Sequence, residues 1–269
     1  MRIALAALAL LSSAYAFACG EVVTLQTHDG TTTRYALTVP QGAKASLVLL
    51  AGGGGYLELD AQGCARKLKG NSLVQSQELF QREGFATALV DAPSDYQSNE
   101  GLGGFRAQAE HAQDIGKVIA DLRARVPGPV WVVGTSRGAI SAANAAARLA
   151  DGVAPDGVVL TSAVTVGTTG GRMPWTAQTV HDVPLERIRV PFLLLGHADD
   201  ACTRSPASAM GGVADRIKAS PKQVVTVTGG PGGRNTGLAA CEGRSPHAYI
   251  GQEAEVAAGI ARFIRTGRY

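Results

Sequence analysis

Six short apolar runs recur along this sequence, and stretches with helical periodicity lie between them. Nearly continuous apolar runs of this length are typical of strands that are buried on both faces, as in a parallel sheet covered by helices. Strands that alternate with helices at this spacing favour a doubly wound α/β fold. The predicted strands span residues 46–50, 85–90, 130–133, 157–160, 190–195 and 224–228, and the predicted helices span residues 73–83, 106–126, 139–149, 206–218 and 249–264.

Two alternating runs rich in β-branched residues precede these strands. They span residues 21–27 and 33–39 and are separated by the turn-forming sequence His28-Asp29-Gly30, which predicts an antiparallel hairpin. The complete sheet is therefore expected to contain about eight strands, mostly parallel, opened by this N-terminal hairpin. Because no repeat, linker or charge block interrupts residues 19–269, they are expected to form one α/β domain.

The first 18 residues are predicted to be a secretory signal peptide. Met1-Arg2 supply a positive charge, residues 3–11 are apolar, and Ala14-Tyr15-Ala16 or Ala16-Phe17-Ala18 is a small-x-small cleavage site. The apolar run is shorter than the roughly 20 residues that a membrane-spanning helix needs. The mature protein is therefore expected to be exported, periplasmic or secreted, without a membrane span. Cleavage after Ala18 would place Cys19 first, which leaves lipidation of Cys19 as an alternative.

Charge and composition argue against several kinds of partner. The net charge is only +3 and is scattered along the chain, which is not typical of a protein that binds nucleic acid. The four cysteines contain no Cys-x-x-Cys pair, so in an oxidising compartment they predict disulfides rather than a metal or redox site. The glycine-rich segments at residues 51–55 and 101–104 match neither a P-loop nor a dinucleotide-binding pattern. No cofactor is expected.

The motif with the most specific chemistry is Gly134-Thr135-Ser136-Arg137-Gly138. It follows the predicted strand at 130–133 and precedes the predicted helix at 139–149, which is the context of a nucleophile elbow. The turn is so sharp that the positions two before and two after the nucleophile cannot carry bulk, and both are glycine. The motif predicts that Ser136 is a catalytic nucleophile.

A serine nucleophile needs a base, and the base needs a carboxylate that orients it. The long connections follow strands and so gather at the carboxyl edge of the sheet, where ligands bind in open α/β folds. Asp199 comes just after the strand at 190–195 and is the expected acid, although the adjacent Asp200 is an alternative. If nucleophile, acid and base follow one another in this order along the chain, His247 is the expected base, because it is the histidine that follows the acid. His197 competes for this role, but it lies on the turn of the acid itself.

The oxyanion of such a mechanism needs two backbone N–H groups. Arg137, the residue after the nucleophile, is expected to provide one of them. The glycine run at 51–55 follows a predicted strand and is expected to provide the other from Gly53 or Gly54, because without Cβ atoms its backbone can approach the substrate closely.

Together these motifs resemble the α/β-hydrolase superfamily, and in particular a group of exported bacterial α/β-hydrolases. The resemblance covers the chain from about residue 21 to residue 264 and rests on residues 91–95, 134–138, 197–202 and Cys241 followed by His247. It implies a serine hydrolase that acts on esters or related acyl compounds and uses no cofactor. Ala51 stands where lipases have the histidine of their His-Gly-Gly-Gly motif, which weakens an assignment as a lipase.

Four cysteines allow three disulfide pairings. A bond between Cys202 and Cys241 would join the loops that carry the expected acid and base, so this pairing is predicted. Cys19 then pairs with Cys64 by elimination. If Cys19 were lipidated instead, Cys64 would be free.

The sequence therefore predicts an exported serine hydrolase with a small acyl compound as substrate. The alternatives are a binding or envelope protein with the same fold but no turnover, and an acyltransferase or peptidase that uses the same triad. Residues 164–183, with Trp175, are expected to form either a small lid over the site or a plain connection. The oligomeric state is left open.

Overall fold

Eight strands form one sheet in the computed structural model, which describes residues 19–150, 152–168 and 173–269. Their order across the sheet is β1-β2-β4-β3-β5-β6-β7-β8. β1 and β2 form an antiparallel hairpin, β2 is antiparallel to β4, and every other neighbouring pair is parallel. The strands are β1 (Glu21–Gln26), β2 (Thr32–Thr38), β3 (Ser46–Leu50), β4 (Ala86–Val90), β5 (Val130–Thr135), β6 (Gly157–Thr161), β7 (Phe192–His197) and β8 (Lys222–Val227).

This topology confirms the predicted fold class, a mostly parallel doubly wound sheet with an N-terminal hairpin. The predicted signal peptide, residues 1–18, lies outside the described residues and stays a prediction. None of the helices in the described part of the chain combines the length and the apolarity needed to cross a membrane.

Helices cover both faces of the sheet. They are α1 (Ser72–Gln75), α2 (Gln77–Arg82), α3 (Ala109–Arg125), α4 (Gly138–Arg148), α5 (Met210–Arg216) and α6 (Glu253–Thr266). One hydrophobic core lies between the sheet and α3, α4 and α5, and a second lies between the sheet and α2 and α6. Alternate residues of each central strand enter opposite cores, as Val132 and Val133 of β5 do. Both faces of these strands are therefore apolar, which explains their continuous apolar runs.

Two predicted elements differ from the structure. The helix expected at 73–83 is divided into α1 and α2, because Ser76 lies between them with φ −92° and ψ 3°. The strand expected to be buried on both faces at 224–228 is the edge strand β8, which pairs only with β7. Its burial alternates along the chain, and Val224 is 40% exposed. Apolarity alone could not reveal that this strand has a neighbour on one side only.

Candidate active site

Ser136 lies on a sharp turn between β5 and α4. Its φ is +53°, in the left-handed region that non-glycine residues seldom adopt. Its N–H donates to the carbonyl oxygen of Thr161 at 2.9 Å. A Cβ atom at Gly134 would lie 2.3 Å from the carbonyl oxygen of Gly138, and one at Gly138 would lie 2.0 Å from that of Leu50. Only glycine fits at these two positions, so the structure builds the strand-turn-helix geometry of a nucleophile elbow.

His247 lies on a short 3-10 turn between the disulfide-bonded Cys241 and α6, and its side chain is 5% exposed. Its Nδ1 atom is 2.8 Å from Oδ2 of Asp200, whose side chain is fully buried. The expected acid, Asp199, is instead exposed, and its backbone N–H donates to Nδ1 of His197 at 3.0 Å. The structure thus corrects the sequence interpretation, because the partner of His247 is Asp200 and not Asp199. The reason is that β7 continues to His197, two residues beyond its predicted end, so the turn that carries the acid comes later.

Two further hydrogen bonds fix the carboxylate of Asp200. The backbone N–H of Cys202 donates to its Oδ1 at 2.9 Å, and the hydroxyl of Ser205 donates to its Oδ2 at 2.9 Å. Ser205 Oγ is also 2.9 Å from Nδ1 of His247. A carboxylate held in this way accepts the Nδ1 proton of the imidazole, which leaves Nε2 unprotonated as an acceptor. Within the described residues, this buried Nε2 has no hydrogen-bond partner.

Ser136 and His247 line the same small cleft. Asn71, Gly53 and Cys241 also line it. Asn71 Oδ1 accepts a hydrogen bond from the backbone at the start of α1, so the orientation of its amide is fixed.

The glycine run after β3 borders the same cleft. The Cβ atom of a larger residue at Gly52 would lie 2.9 Å from Cβ of Ser136 and 3.3 Å from Nδ2 of Asn71. Gly53 has φ +56°, and the N–H groups of Gly53 and Gly54 have no acceptor among the described residues. Arg137 occupies the N-cap of α4, where N–H groups have no intrahelical partner. The donors expected for an oxyanion hole therefore lie in the elbow and in a loop that approaches it closely.

Two hydrogen bonds hold the loop that carries His247 in place. Ser162 Oγ donates to the backbone carbonyl oxygen of His247 at 2.8 Å, and the hydroxyl of Tyr249 donates to that of Leu195 at 3.2 Å. Ser162 and Tyr249 have φ values of +45° and +57°. Strain of this kind is common where a structure fixes functional side chains. No sequence pattern distinguished Ser162, Tyr249 or Ser205 from other serines and tyrosines.

Comparison with known proteins gives a fold but no sequence relative. The chain matches no protein-family model and no curated protein. Esterase 2 of Thermogutta terrifontis, in a structure phosphonylated by sarin, has a TM-score of 0.62 and 14% identity over 93% of this chain and 96% of its own. Dienelactone hydrolase from Anabaena variabilis has a TM-score of 0.60 and 16% identity over 91% of this chain and 96% of its own. A serine hydrolase without lid from Xanthomonas campestris has a TM-score of 0.56 and 14% identity over 92% and 94%.

The chain has the α/β-hydrolase fold. In this α/β-hydrolase fold, Ser136 follows β5, Asp200 follows β7 and His247 follows β8, so the three side chains come from separate loops at the carboxyl edge of the parallel strands. Ligands bind at this edge in open α/β sheets.

The other histidines of the hydrolase fold have different surroundings. His197 is buried, accepts a hydrogen bond at Nδ1, and its Nε2 is 2.9 Å from Oε1 of Gln252. Both of its nitrogens therefore have partners within the protein. His111 contacts Ser141 Oγ at 2.9 Å, and burial, with a smaller effect of Arg106, lowers the pKa of His111 to about 3. Neither side chain lines the cleft that contains Ser136.

The structure joins Cys202 to Cys241 and Cys19 to Cys64, the same pairs as expected. The first bond lies beside the candidate site, because the N–H of Cys202 binds Asp200 and Cys241 lines the cleft. It therefore connects the loop of Asp200 with the loop of His247.

Trp175 packs against the elbow. The guanidinium of Arg137 lies 4.0 Å from the centre of the Trp175 ring, and its Nη2 donates to the carbonyl oxygen of Gly103 at 3.1 Å. Burial, followed by the nearby Arg204, lowers the pKa of Arg137 to about 10. Part of the expected lid, residues 169–172, lies outside the described residues. The described part agrees with a connection that packs on the domain.

Proposed function

We propose that this protein is a serine hydrolase that cleaves esters or related acyl compounds through an acyl-enzyme. The observation that carries the proposal is the buried pair of Asp200 and His247, at 2.8 Å, beside a cleft that Ser136 also lines. The unpartnered Nε2 of His247 is the atom that such chemistry requires as a base. The structural neighbours include esterases and a dienelactone hydrolase, which supports carboxylic esters as the substrate class.

In the proposed reaction, Ser136 Oγ attacks the acyl carbon while its proton passes to Nε2 of His247. Asp200 stabilises the imidazolium that forms, and N–H groups of Arg137 and of Gly53 or Gly54 stabilise the oxyanion. The imidazolium then gives its proton to the leaving alcohol as the C–O bond breaks. In the second half of the cycle, water attacks the acyl-enzyme while His247 takes its proton, and His247 then returns this proton to Ser136 Oγ as the acyl C–O bond breaks and the acid leaves.

The test is hydrolysis of a panel of p-nitrophenyl esters and short peptides by the purified protein and by Ser136→Ala. Ester turnover that the variant lowers by several orders of magnitude supports the proposal. Turnover of peptides alone would make the protein a peptidase. Transfer of the acyl group to added alcohols or amines in preference to water would make it an acyltransferase. A folded protein without any turnover would support a binding role.

Export is part of the same proposal, with residues 1–18 removed as a signal peptide. The two disulfides support it, because disulfides persist in oxidising compartments. Intact-mass measurement of the protein recovered from the periplasm or medium should give a chain that starts at Cys19 or close to it. A mass that retains residues 1–18 would contradict export by this route, and an added lipid mass on Cys19 would indicate a lipoprotein.

A further inference from the structure

Arg106 is a buried cation without a carboxylate partner in the described part of the chain. It is 1% exposed and lies on the 3-10 turn Gly103–Ala107 that precedes α3. Its Nη1 donates to Ser141 Oγ at 2.8 Å, and its Nε has no partner among the described residues. Burial, followed by Arg137, lowers the pKa of Arg106 well below the usual value of an arginine. Burying a charge without a counterion is costly, so a cation kept at this position calls for an explanation.

The remaining contacts of Arg106 are with the glycine run beside Ser136. Its Nη2 donates to the carbonyl oxygens of Ala51 at 3.1 Å and of Gly53 at 3.2 Å. The carbonyl oxygen of Gly52 accepts a hydrogen bond from the N–H of Gly55 at 3.1 Å. That of Gly54 accepts one from the N–H of Leu102 at 2.8 Å. Four successive carbonyl groups, at residues 51–54, therefore bind donors within the protein.

These contacts set the direction of the N–H groups in the run. In a planar trans peptide the C=O and the following N–H point in opposite directions. Fixing the carbonyl group of Gly53 on Arg106 therefore turns the N–H of Gly54 away from the arginine. The carbonyl oxygen of Gly52 accepts a hydrogen bond from the N–H of Gly55. The N–H of Gly53 belongs to the same peptide group as this carbonyl and therefore points away from Gly55. Neither the N–H of Gly53 nor that of Gly54 has an acceptor among the described residues.

The surroundings of Arg106 are built to hold it in this position. Gly55 has φ +77°, and a Cβ atom there would lie 2.7 Å from Nη2 of Arg106, so a larger residue would displace the guanidinium from this position. On the other side, Asn144 of α4 donates to the carbonyl oxygen of Arg106 at 3.0 Å. Ser141 and Asn144 lie on the helix that begins at the elbow, and they link the position of Arg106 to that of Ser136.

We propose that Arg106 is a positioning residue of the oxyanion hole. It holds residues 51–54 so that their free N–H groups are available to the cleft. Its positive charge also polarises these peptide groups, which favours the anionic tetrahedral intermediate over the neutral ester. The free energy of a cation's interaction with a forming anion is largest where water is excluded. The inference rests on the proposed function, since it assigns a role in the oxyanion hole of the same site.

The test compares Arg106→Gln with Arg106→Lys, which keeps the charge but loses the fork of donors. Loss of an oxyanion-hole donor lowers kcat by about 10² to 10³-fold, and we expect Arg106→Gln to approach this range while KM changes less than about threefold. Arg106→Lys should retain more activity. Arg123→Gln is the matched control, because Arg123 also donates to a backbone carbonyl oxygen, that of Ala154, but pairs with Asp156 away from the cleft. It should leave kcat unchanged.

A second measurement separates positioning from general damage. A trifluoromethyl ketone forms an anionic tetrahedral adduct with a serine nucleophile, whereas a methyl ketone with the same acyl chain is a probe of ground-state binding. In Arg106→Gln the affinity for the trifluoromethyl ketone should fall in parallel with kcat/KM, and the affinity for the methyl ketone should stay within about threefold of wild type. Equal losses for both ketones, or wild-type kcat in a folded Arg106→Gln protein, would overturn the proposal.

If the arginine variants do not fold, Ser141→Ala removes the partner of Nη1 and keeps the arginine. It should lower kcat and the affinity for the trifluoromethyl ketone together, by about three- to tenfold, and unchanged values would overturn the proposal. The two hypotheses can fail separately. Full activity of Ser136→Ala contradicts the proposed function, whereas an inactive Ser136→Ala beside a fully active Arg106→Gln contradicts only the role of Arg106.

Discussion

Oδ2 of Asp200 lies 2.8 Å from Nδ1 of His247, and the two side chains are 0% and 5% exposed to solvent. Little water can therefore compete for this hydrogen bond, and it fixes both the orientation and the tautomer of the imidazole. Ser205 Oγ contacts both partners, at 2.9 Å from Oδ2 of Asp200 and 2.9 Å from Nδ1 of His247. The other ring nitrogen, Nε2, has no hydrogen-bond partner among the described residues, and His247 lines the cleft.

Asp200→Asn should lower kcat by roughly 10³ to 10⁴-fold, because an amide at this position favours the wrong tautomer of His247. Asp199→Asn is the matched control. Asp199 is exposed, so its substitution should change kcat by less than about twofold. Steady-state kinetics on a p-nitrophenyl ester give both values. A larger loss for Asp199→Asn than for Asp200→Asn would show that Asp199, and not Asp200, orients the base.

His247→Ala should remove nearly all activity, whereas His197→Ala should retain most of it in the fraction that folds. His197 bonds to the backbone of Asp199 and to Gln252, so its loss should mainly lower the free energy of unfolding. Thermal unfolding together with kcat measured well below Tm distinguishes the two effects. Inactivity of a stable His197→Ala protein would be evidence that His197, and not His247, is the base.

Replacement of Cys202 and Cys241 by serine should lower turnover as well as Tm. The N–H of Cys202 holds Asp200, and Cys241 lines the cleft, so release of the two loops disturbs the geometry of acid and base.

Cys19→Ser with Cys64→Ser is the control for this experiment. The two bonds close loops of similar sequence separation, 39 and 45 residues. On the chain-entropy estimate each stabilises the fold by about 4 kcal/mol. The control should therefore lower Tm comparably but leave kcat unchanged at temperatures where the protein is folded. Equal losses of kcat in the two double variants would show that the bond between Cys202 and Cys241 has no special role in the site.

His28 should make stability depend on pH. Its Nδ1 is 2.6 Å from Asp114 and its Nε2 is 3.1 Å from Asp95. Burial alone lowers the pKa of His28, but the hydrogen bonds to the two carboxylates outweigh burial and raise it. The folded state therefore binds this proton more tightly than the unfolded chain. The stabilisation is fully present below the unfolded pKa of about 6.5 and is lost as the pH rises through the folded value.

Tm measured between about pH 5.5 and about pH 9 for wild type and His28→Gln tests this linkage. The difference in Tm between the two proteins should be largest at the acidic end and should shrink as the pH rises. A difference that stays constant, or that grows with pH, would contradict a raised pKa at His28.

The sequence predicted the sheet well because buried parallel strands leave continuous apolar runs that need no knowledge of neighbours. It also predicted the positions of Ser136 and His247, since a sharp turn demands glycines and the chain order leaves one histidine after the acid. Adjacent Asp199 and Asp200 could not be distinguished, because the conformation of the turn after β7, which the sequence does not reveal, decides which carboxyl group faces His247. The edge position of β8 depends on its neighbours and was missed.

The supporting contacts were beyond the sequence for a different reason. Ser162 reaches His247 across 85 positions, and Arg106 reaches Ala51 across 55. Such contacts depend on where the finished fold brings distant loops, and a single serine or arginine has no local pattern that marks it. The hydrogen bonds that hold Asp200, His247 and the glycine run are therefore visible only in the structure.

The proposed reaction depends on Ser136 as the nucleophile that becomes acylated. Incubation with a fluorophosphonate, followed by digestion and mass spectrometry, tests this role, because the reagent is captured only by a serine that its base has activated. We expect one phosphonyl group per chain, on the peptide that contains Ser136, and no modification of Ser136→Ala. Modification at another residue, or an unmodified wild-type protein that still hydrolyses esters, would show that Ser136 is not the nucleophile.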